Sequence, residues 1–371
     1  MQASLLTYNN AVLADWNVIM TYYLRENLLS GPILSPRRPT INEFFLSSYT
    51  MSIYVGCEIG CSYCDGWVYN PRPLNETIYV PLNLPQLLAE ELTRVNRGDL
   101  IAITALSDPY QPAEQTYRIT RQVLHVLADA EQPCLILTKG LGIVDDIPLL
   151  QRMNERSLAI VMTTLVTMDR QIAERLEAKA PPTHLRLEML ATLKRAGIPV
   201  GVAMVPIIPY VNDTNTATRA LLRACAEIGV DFAIWDYLNI PDERHRMRIN
   251  ESLGRIATYL PSYHRDIYGS ESLPSIRYRA ERDAELLTRW DGMNIEARAP
   301  HRLFANRLTP CNEAALLLKH MAFRDMAHGR MKMAAMHRQL ADQVYAGDIQ
   351  TELLERSPLS STLQPILQRT H

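Results

Sequence analysis

The chain has 371 residues with 38 Lys and Arg against 40 Asp and Glu; the net charge of −2 excludes a global attraction to nucleic acid or acidic lipid. A hydrophobic content of 47% and a charged content of 21% are those of an ordinary globular protein, long enough for one large core or two modest ones. No apolar run approaches a membrane span, "MQASLLTYNN" lacks a basic leader, and six cysteines make no disulfide scaffold, so no membrane partner and a reducing cytoplasm are expected.

Residues 1–46 read as an N-terminal extension that includes the turn-rich "GPILSPRRPT". From there to residue 240, short β-branched runs alternate with amphipathic stretches. The predicted strands are "SYTMSIYVG" (48–56), "DLIAITALS" (99–107), "PCLILTKG" (133–140), "LAIVMTTLV" (158–166), "IPVGVAMVPIIP" (198–209) and "DFAIWDYLNI" (231–240). Helical patterns separate them, among them "LPQLLAEELTRVN", "TYRITRQVLHVLADA", "THLRLEMLATLKRAG" and "ATRALLRACAEIG". Near-continuous apolar runs suit parallel strands covered on both faces. Gly98, Gly197 and Gly229 stand where helices would end before strands. Such alternation implies parallel pairing through right-handed crossovers. The expected fold class is therefore α/β, a partial (β/α)6 TIM-like barrel over residues 47–240, with an open doubly wound sheet as the alternative. Residues 241–371 form an Arg-rich and mainly helical C-terminal region, from "PDERHRMRIN" to a Met-rich stretch around "KHMAFRDMAHGRMKMAAM".

Directly after the first predicted strand, "YVGCEIGCSYCDGW" sets Cys57, Cys61 and Cys64 at the spacing C-x3-C-x2-C. A disulfide would strand one thiol in a reducing compartment. A structural zinc site needs a fourth ligand, and no further Cys or His lies nearby in sequence. An iron–sulfur cluster is the third reading: a [4Fe–4S] cubane normally takes four thiolates. Three would leave one iron open to a substrate or cofactor.

The motif resembles the signature of the radical S-adenosylmethionine (radical SAM) enzymes, C-x3-C-x-Φ-C with an aromatic Φ, here Tyr63. The stretches "TALSDPYQPAEQTYRITRQVL", "LILTKG" and "APPTHLRLEMLATLKRAGIPVGVAMVPIIPYVND" are similar to the spore photoproduct lyase-like, DNA repair photolyase-related branch, over about Ser48 to Tyr237. The resemblance implies an enzyme whose cluster binds S-adenosylmethionine (SAM) through the open iron. It would cleave SAM reductively to a 5′-deoxyadenosyl radical that abstracts hydrogen from a substrate. An external electron donor of flavodoxin or ferredoxin type is also implied.

Carried over residue by residue, the resemblance assigns Ser107 and Asp108 to SAM's amino end and Lys139 to its carboxylate. Thr164, with Thr163, would bond the same ligand, and Arg186 matches a recurrent Arg in "RL". Each has a plainer reading: a helix start for "SDPYQPAE", a solvated strand end for Lys139, ordinary strand positions for the threonines, a surface charge for Arg186. Asn212 and Asp213 are expected to cap the following helix. Two positions depart from the family. Ala105 stands where the lyase has a hydrogen-donating cysteine, and Asp65 where it has a relay tyrosine. Thymine-dimer reversal by the same relay is therefore not expected. Cys311 in "LTPCNE" is a candidate catalytic donor thiol if the C-terminal segment folds over the barrel mouth; a small buried hydrophobe is its plainer reading. Cys134 should lie at the barrel's bottom and Cys225 in a helix core.

The Arg-dense stretch suits phosphate recognition, but interleaved acids give it an ordinary salt-bridged reading. Three functions stay open at this point. They are a radical SAM enzyme acting on DNA or another nucleic acid, one modifying a peptide or small metabolite, and a non-catalytic Fe–S or zinc protein.

Overall fold

The computed structural model describes residues 23–68, 76–103, 107–290, 292–349 and 351–369. Its strands are β1 (Tyr23–Asn27), β2 (Tyr49–Met51), β3 (Thr77–Pro81), β4 (Ile101–Ile103), β5 (Cys134–Leu137), β6 (Ala159–Thr164), β7 (Val200–Ile207) and β8 (Phe232–Tyr237). β1 from the N-terminal extension pairs in parallel with β3. The others form a six-stranded sheet in the order β2-β4-β5-β6-β7-β8, every pair parallel. The order follows the chain and does not close among the described residues. This is the expected partial barrel of six strands. Each predicted run contains an observed strand with trimmed ends; the first shrinks to Tyr49–Met51 because the chain then turns into the cysteine loop.

Crossover helices are α1 (Leu84–Leu92), α2 (Ala113–Tyr117), α3 (Ile119–Asp129), α4 (Ile147–Arg156), α5 (Arg170–Leu176), α6 (Thr183–Arg195) and α7 (Asn215–Glu227). The single helix expected around 116–130 is two, since Arg118 at φ 54° closes α2 and opens α3. Gly197 and Gly229, at φ +80° and +72°, end α6 and α7 in the left-handed conformation that favours glycine. Gly98 does not serve this way: α1 already stops at Leu92, with Thr93 as its C-cap.

The Arg-rich and C-terminal stretches continue as helices, α8 (Glu243–Ile256), α9 (Leu260–Tyr268), α10 (Ile276–Trp290), α11 (His301–Phe304), α12 (Pro310–Ala327), α13 (Met331–Ala346), α14 (Thr351–Arg356) and α15 (Ser360–Leu367). Side chains alternate across a strand, and the two sheet faces meet different partners. Cys134, Ile136, Ala159, Val161, Val200 and Val202 pack with Leu88, Val123, Leu150 and Leu190 of the crossover helices. Leu135, Ile160, Met162, Ala203 and Ile234 pack with Ala315, Leu318, Leu340 and Val344 of α12 and α13. The C-terminal region thus supplies half of the sheet's cover. On this face Ala and Leu make the contacts: Met331 is exposed, and Met326, half-buried, packs instead with the cluster on the other face.

Asp325, His337 and Ser357 clamp this helical layer. His337 Nδ1 lies 2.8 Å from Asp325 Oδ2, and Ser357 Oγ lies 3.5 Å from His337 Nε2. The chain order of the groups mimics a hydrolytic triad. All three are buried, however, and Ser357 Oγ accepts from Leu359 N at 3.2 Å, so the cluster ties helices together. No helix among the described residues is long and apolar enough to cross a membrane.

Gly140, just after β5, approaches the loop after β4 so closely that an added Cβ would stand 2.6 Å from Tyr110 Cβ and closer still to the Tyr110 carbonyl. Gly140→Ala is expected to lower stability by about 1–3 kcal/mol, because backbone has to yield. Urea denaturation of the two proteins measures it.

Candidate functional site

The C-terminal ends of the parallel strands deliver their loops to one side of the sheet, where barrel sites form. The loop after β2 carries Cys57, Cys61 and Cys64, and it is fastened from both flanks. On one flank Ser107 Oγ donates to the Tyr54 carbonyl at 2.7 Å and accepts from Tyr54 N at 3.3 Å. The Tyr54 hydroxyl donates to Glu114. Glu58 N donates to Gln111 Oε1 at 2.8 Å, and Glu58 Oε1 accepts from Ala113 N at 2.7 Å. "SDPYQPAE" is therefore a helix start that doubles as a clamp on the cysteine loop. On the other flank Ser62 N donates to the Leu176 carbonyl at 3.0 Å. The Tyr63 hydroxyl donates to Glu177, and His245 Nε2 lies 3.1 Å from the Tyr63 carbonyl.

All three cysteines are free, Cys61 buried and its two neighbours half-buried. Ile59, Val166, Leu176, Ile208 and Leu238 belong to the same apolar cluster. Burial pushes each thiol up to about 12. Cys57 feels Cys64, Cys61 feels Cys57 and Cys64 feels Cys61, so the three are mutual electrostatic neighbours.

Lys139 and Arg186 join them. Burial pulls the Lys139 ammonium down, but Cys61, Glu177 and Asp108 outweigh it and raise its pKa above the ordinary value. The ammonium lies 5.7 Å from the Tyr63 ring centre. Asp108 holds the base of this residue: it accepts from Lys139 N at 2.7 Å, from Thr138 Oγ1 at 2.5 Å and from Tyr110 N at 2.9 Å. Arg186 is no surface charge. At 1% exposure its Nη2 meets Glu177 Oε2 at 2.5 Å, and its Nη1 donates to the Thr164 carbonyl at 2.7 Å. Its Nε is buried without a partner. Burial works against the Glu177 carboxylate, yet Arg186, Lys139 and the Tyr63 hydroxyl hold it below the usual range.

The structure thus brings Tyr63, Lys139 and Arg186 to the thiols and sets Ser107, Asp108 and Thr164 immediately behind them, Thr164 through its carbonyl. Two expectations are corrected. Cys311 sits next to Asn312, whose Nδ2 donates to Gly98 O at 3.1 Å and Asp99 Oδ1 at 2.6 Å, before β4 begins. It therefore lies at the opposite end of the sheet, because α12 packs from that end and not across the mouth. Cys134, at the first position of β5, and Cys225, in α7, are buried as expected. Nor do Asn212 and Asp213 cap α7: Thr214 does, with Oγ1 accepting from Ala217 N at 3.2 Å. Asn212 instead accepts from Ile208 N at 2.7 Å and donates to the Val166 and Pro206 carbonyls at 2.9 and 3.0 Å, stitching the exits of β6 and β7. Asp65 is exposed, and Ala105 falls outside the described residues.

The sequence reading missed Glu177. In "ERLEAKAPP" it reads as one of several helix-surface charges, and only the fold shows it facing Arg186.

The donor set fits a thiolate-held metal group: three soft ligands in an apolar wall, with a cation alongside. Among the described residues no three His, Cys, Asp or Glu side chains converge as a single ion requires. The thiols share a neighbourhood, not a point. Ligation would displace their protons.

Residues 51–221 match the family model of the radical SAM superfamily. An uncharacterised protein of Mycobacterium tuberculosis is 27% identical over 260 residues, covering 63% of this chain and 76% of that protein. Another, from Methanocaldococcus jannaschii, is 26% identical over 174 residues, 46% of this chain and 64% of its own. Among solved structures, a spore photoproduct lyase variant with bound AdoMet and dinucleoside spore photoproduct aligns with a TM-score of 0.50 at 14% identity. That match covers 62% of this chain and 66% of the lyase, just under two thirds of its length. A second variant of the lyase reaches a TM-score of 0.55 at 11% identity, over 74% of this chain and 81% of its own. At such identities the likeness is one of fold.

Arg186→Ala would leave Glu177 buried beside one lysine, and a loss of about 3–5 kcal/mol is expected. The Arg186→Ala, Glu177→Ala double variant should lose less than the two single losses added together, which a denaturant double-mutant cycle reads. Because the Glu177 pKa is depressed on folding, its contribution is complete above the unfolded carboxylate value. It fades as pH falls through the folded value. The stability gap between wild type and Glu177→Gln should therefore narrow below about pH 4.

Proposed function

We propose, from the match of residues 51–221 to the radical SAM family model, that the chain is a radical SAM enzyme holding a [4Fe–4S] cluster on Cys57, Cys61 and Cys64 with SAM beside it. The observation that carries this reading is the gathering of three free thiols, one buried and two half-buried, on the loop after β2, with the Lys139 ammonium over the Tyr63 ring of the same motif. When bound, the cluster supplies one electron that cleaves SAM and yields a radical able to take hydrogen from the substrate. The chain's own residues then have distinct tasks. Lys139 offers a fixed positive charge to SAM's carboxylate and offsets the thiolates. Asp108 sets the Lys139 backbone, and Ser107 anchors the cysteine loop through Tyr54. The Glu177–Arg186 pair locks Tyr63 against the loop, while Ile59, Val166, Ile208 and Leu238 keep water from the thiols.

A reductant must come from outside, and a flavodoxin or ferredoxin type of donor suits a one-electron demand. Free, buried thiols are in keeping with a reducing cytoplasm. For the substrate, the likeness to a lyase solved with a dinucleoside photoproduct favours a nucleic acid. A second reading, a peptide or small metabolite, draws on the arginines: Arg244, Arg246, Arg277, Arg282 and Arg289 each pair with an acid, which leaves less charge for phosphate. Phosphate-driven binding would weaken steeply with salt, so a salt titration of DNA binding separates the two. Thymine-dimer reversal is not proposed, since Asp65 replaces the relay tyrosine.

Anaerobic reconstitution of wild type should give iron and sulfide in near-equal amounts and release 5′-deoxyadenosine from SAM with a reductant, by mass spectrometry. Cys61→Ala should lose iron and sulfide while keeping its circular dichroism. Tightly held zinc without sulfide in wild type would refute the reading. Lys139→Ala should weaken SAM binding about ten- to a hundredfold, the worth of one charge-assisted contact.

A further inference from the structure

Helix α8 closes the cysteine loop from the side, and two of its residues one turn apart face that loop. His245 bonds the Tyr63 carbonyl. Arg248 lays its guanidinium 3.6 Å from the centre of the Trp67 ring, and Trp67 Nε1 donates to the Cys61 carbonyl at 3.1 Å. The other arginines of this helix each have an acid: Arg244 has Asp242, Arg246 has Glu243 and Arg255 has Glu251. Arg248 forms no ion pair among the described residues, and its Nη1 is buried without a hydrogen-bond partner.

Arg248 is half-buried, and a guanidinium with one amino group withdrawn from water and no carboxylate partner is costly unless a negative group faces it. The ring beneath Arg248 supplies part of the compensation, through the attraction of a cation to a π face. The remainder must come from the loop itself, which turns anionic when its thiols are ligated. We infer that Arg248, held on Trp67, is the fixed counter-charge of the cysteine loop and raises the reduction potential of the group bound there. This rests on the reading that the loop holds a cluster. A nearby cation stabilises the state with one more electron, so one-electron reduction by the external donor becomes easier. Arg248 is on this view a positioning charge that touches no substrate.

The test compares wild type, Arg248→Lys, Arg248→Gln and Arg248→Met after anaerobic reconstitution, reading iron and sulfide content first and then the cluster's midpoint potential by EPR-monitored redox titration. The neutral variants should load like wild type and titrate at a lower potential, with Arg248→Lys close to wild type. An unchanged midpoint in loaded neutral variants overturns the inference. Where the neutral variants fail to load, loading of Arg248→Lys supports the counter-charge, whereas failure of all three variants shows a packing role on Trp67 and overturns it. A wild type that takes up no iron and sulfide refutes the cluster reading itself, and the inference with it.

Discussion

Glu177 and Arg186 meet at 2.5 Å with about 1% of either side chain in contact with solvent, and the rest of the site is arranged around that meeting. Burying two charges carries a desolvation penalty of several kcal/mol per ion, which mutual attraction offsets only when the remaining donors and acceptors are also engaged. Here most of them are engaged by the site's own parts, Arg186 Nε being the exception. The carboxylate takes the Tyr63 hydroxyl, which lies inside the cysteine motif, and the guanidinium takes the carbonyl at the end of β6. An electrostatic requirement of the interior is thereby turned into a fixed orientation for a loop whose cysteines have no regular secondary structure to hold them.

The same logic organises the layers. Parallel strands have two apolar faces, and crossover helices cover only one of them. α12 and α13 cover the other, so the C-terminal region belongs to the sheet's core as much as α1 to α7 do. That arrangement also explains the fate of Cys311. A helix that fills the inner face from the strand N-termini starts at the far end from the thiols, and the residue at its first turn is carried away from the chemistry.

The sheet and its parallel sense were legible because each strand is a short apolar run and each crossover an amphipathic one; the strand order was not, and only the fold decides between the partial barrel and the open doubly wound sheet. The cysteine trio and Tyr63 were legible because motif spacing is a local property, whereas Lys139 was singled out only by the family resemblance and by itself reads as a solvated strand end. What escaped was pairing over distance. Asn212 and Asp213 look like helix caps in one dimension, since their chemistry is that of caps; in the fold Asn212 binds three backbone groups across two strand exits. Glu177 and Arg248 look like two charges among many. Their significance is that Glu177 has a buried cation for partner while Arg248, among the described residues, has a ring and no acid, and neither fact is written in the letters around them.

One consequence follows from the two-faced sheet. The segment that matches the radical SAM family model ends at residue 221, before β8 and before either helix that lines the inner face. A fragment cut at that boundary would present Leu135, Ile160 and Met162 as a bare greasy strip beside an unpaired β7 edge, the surface on which chains stick to one another. The matched segment is therefore shorter than the unit that buries its own core.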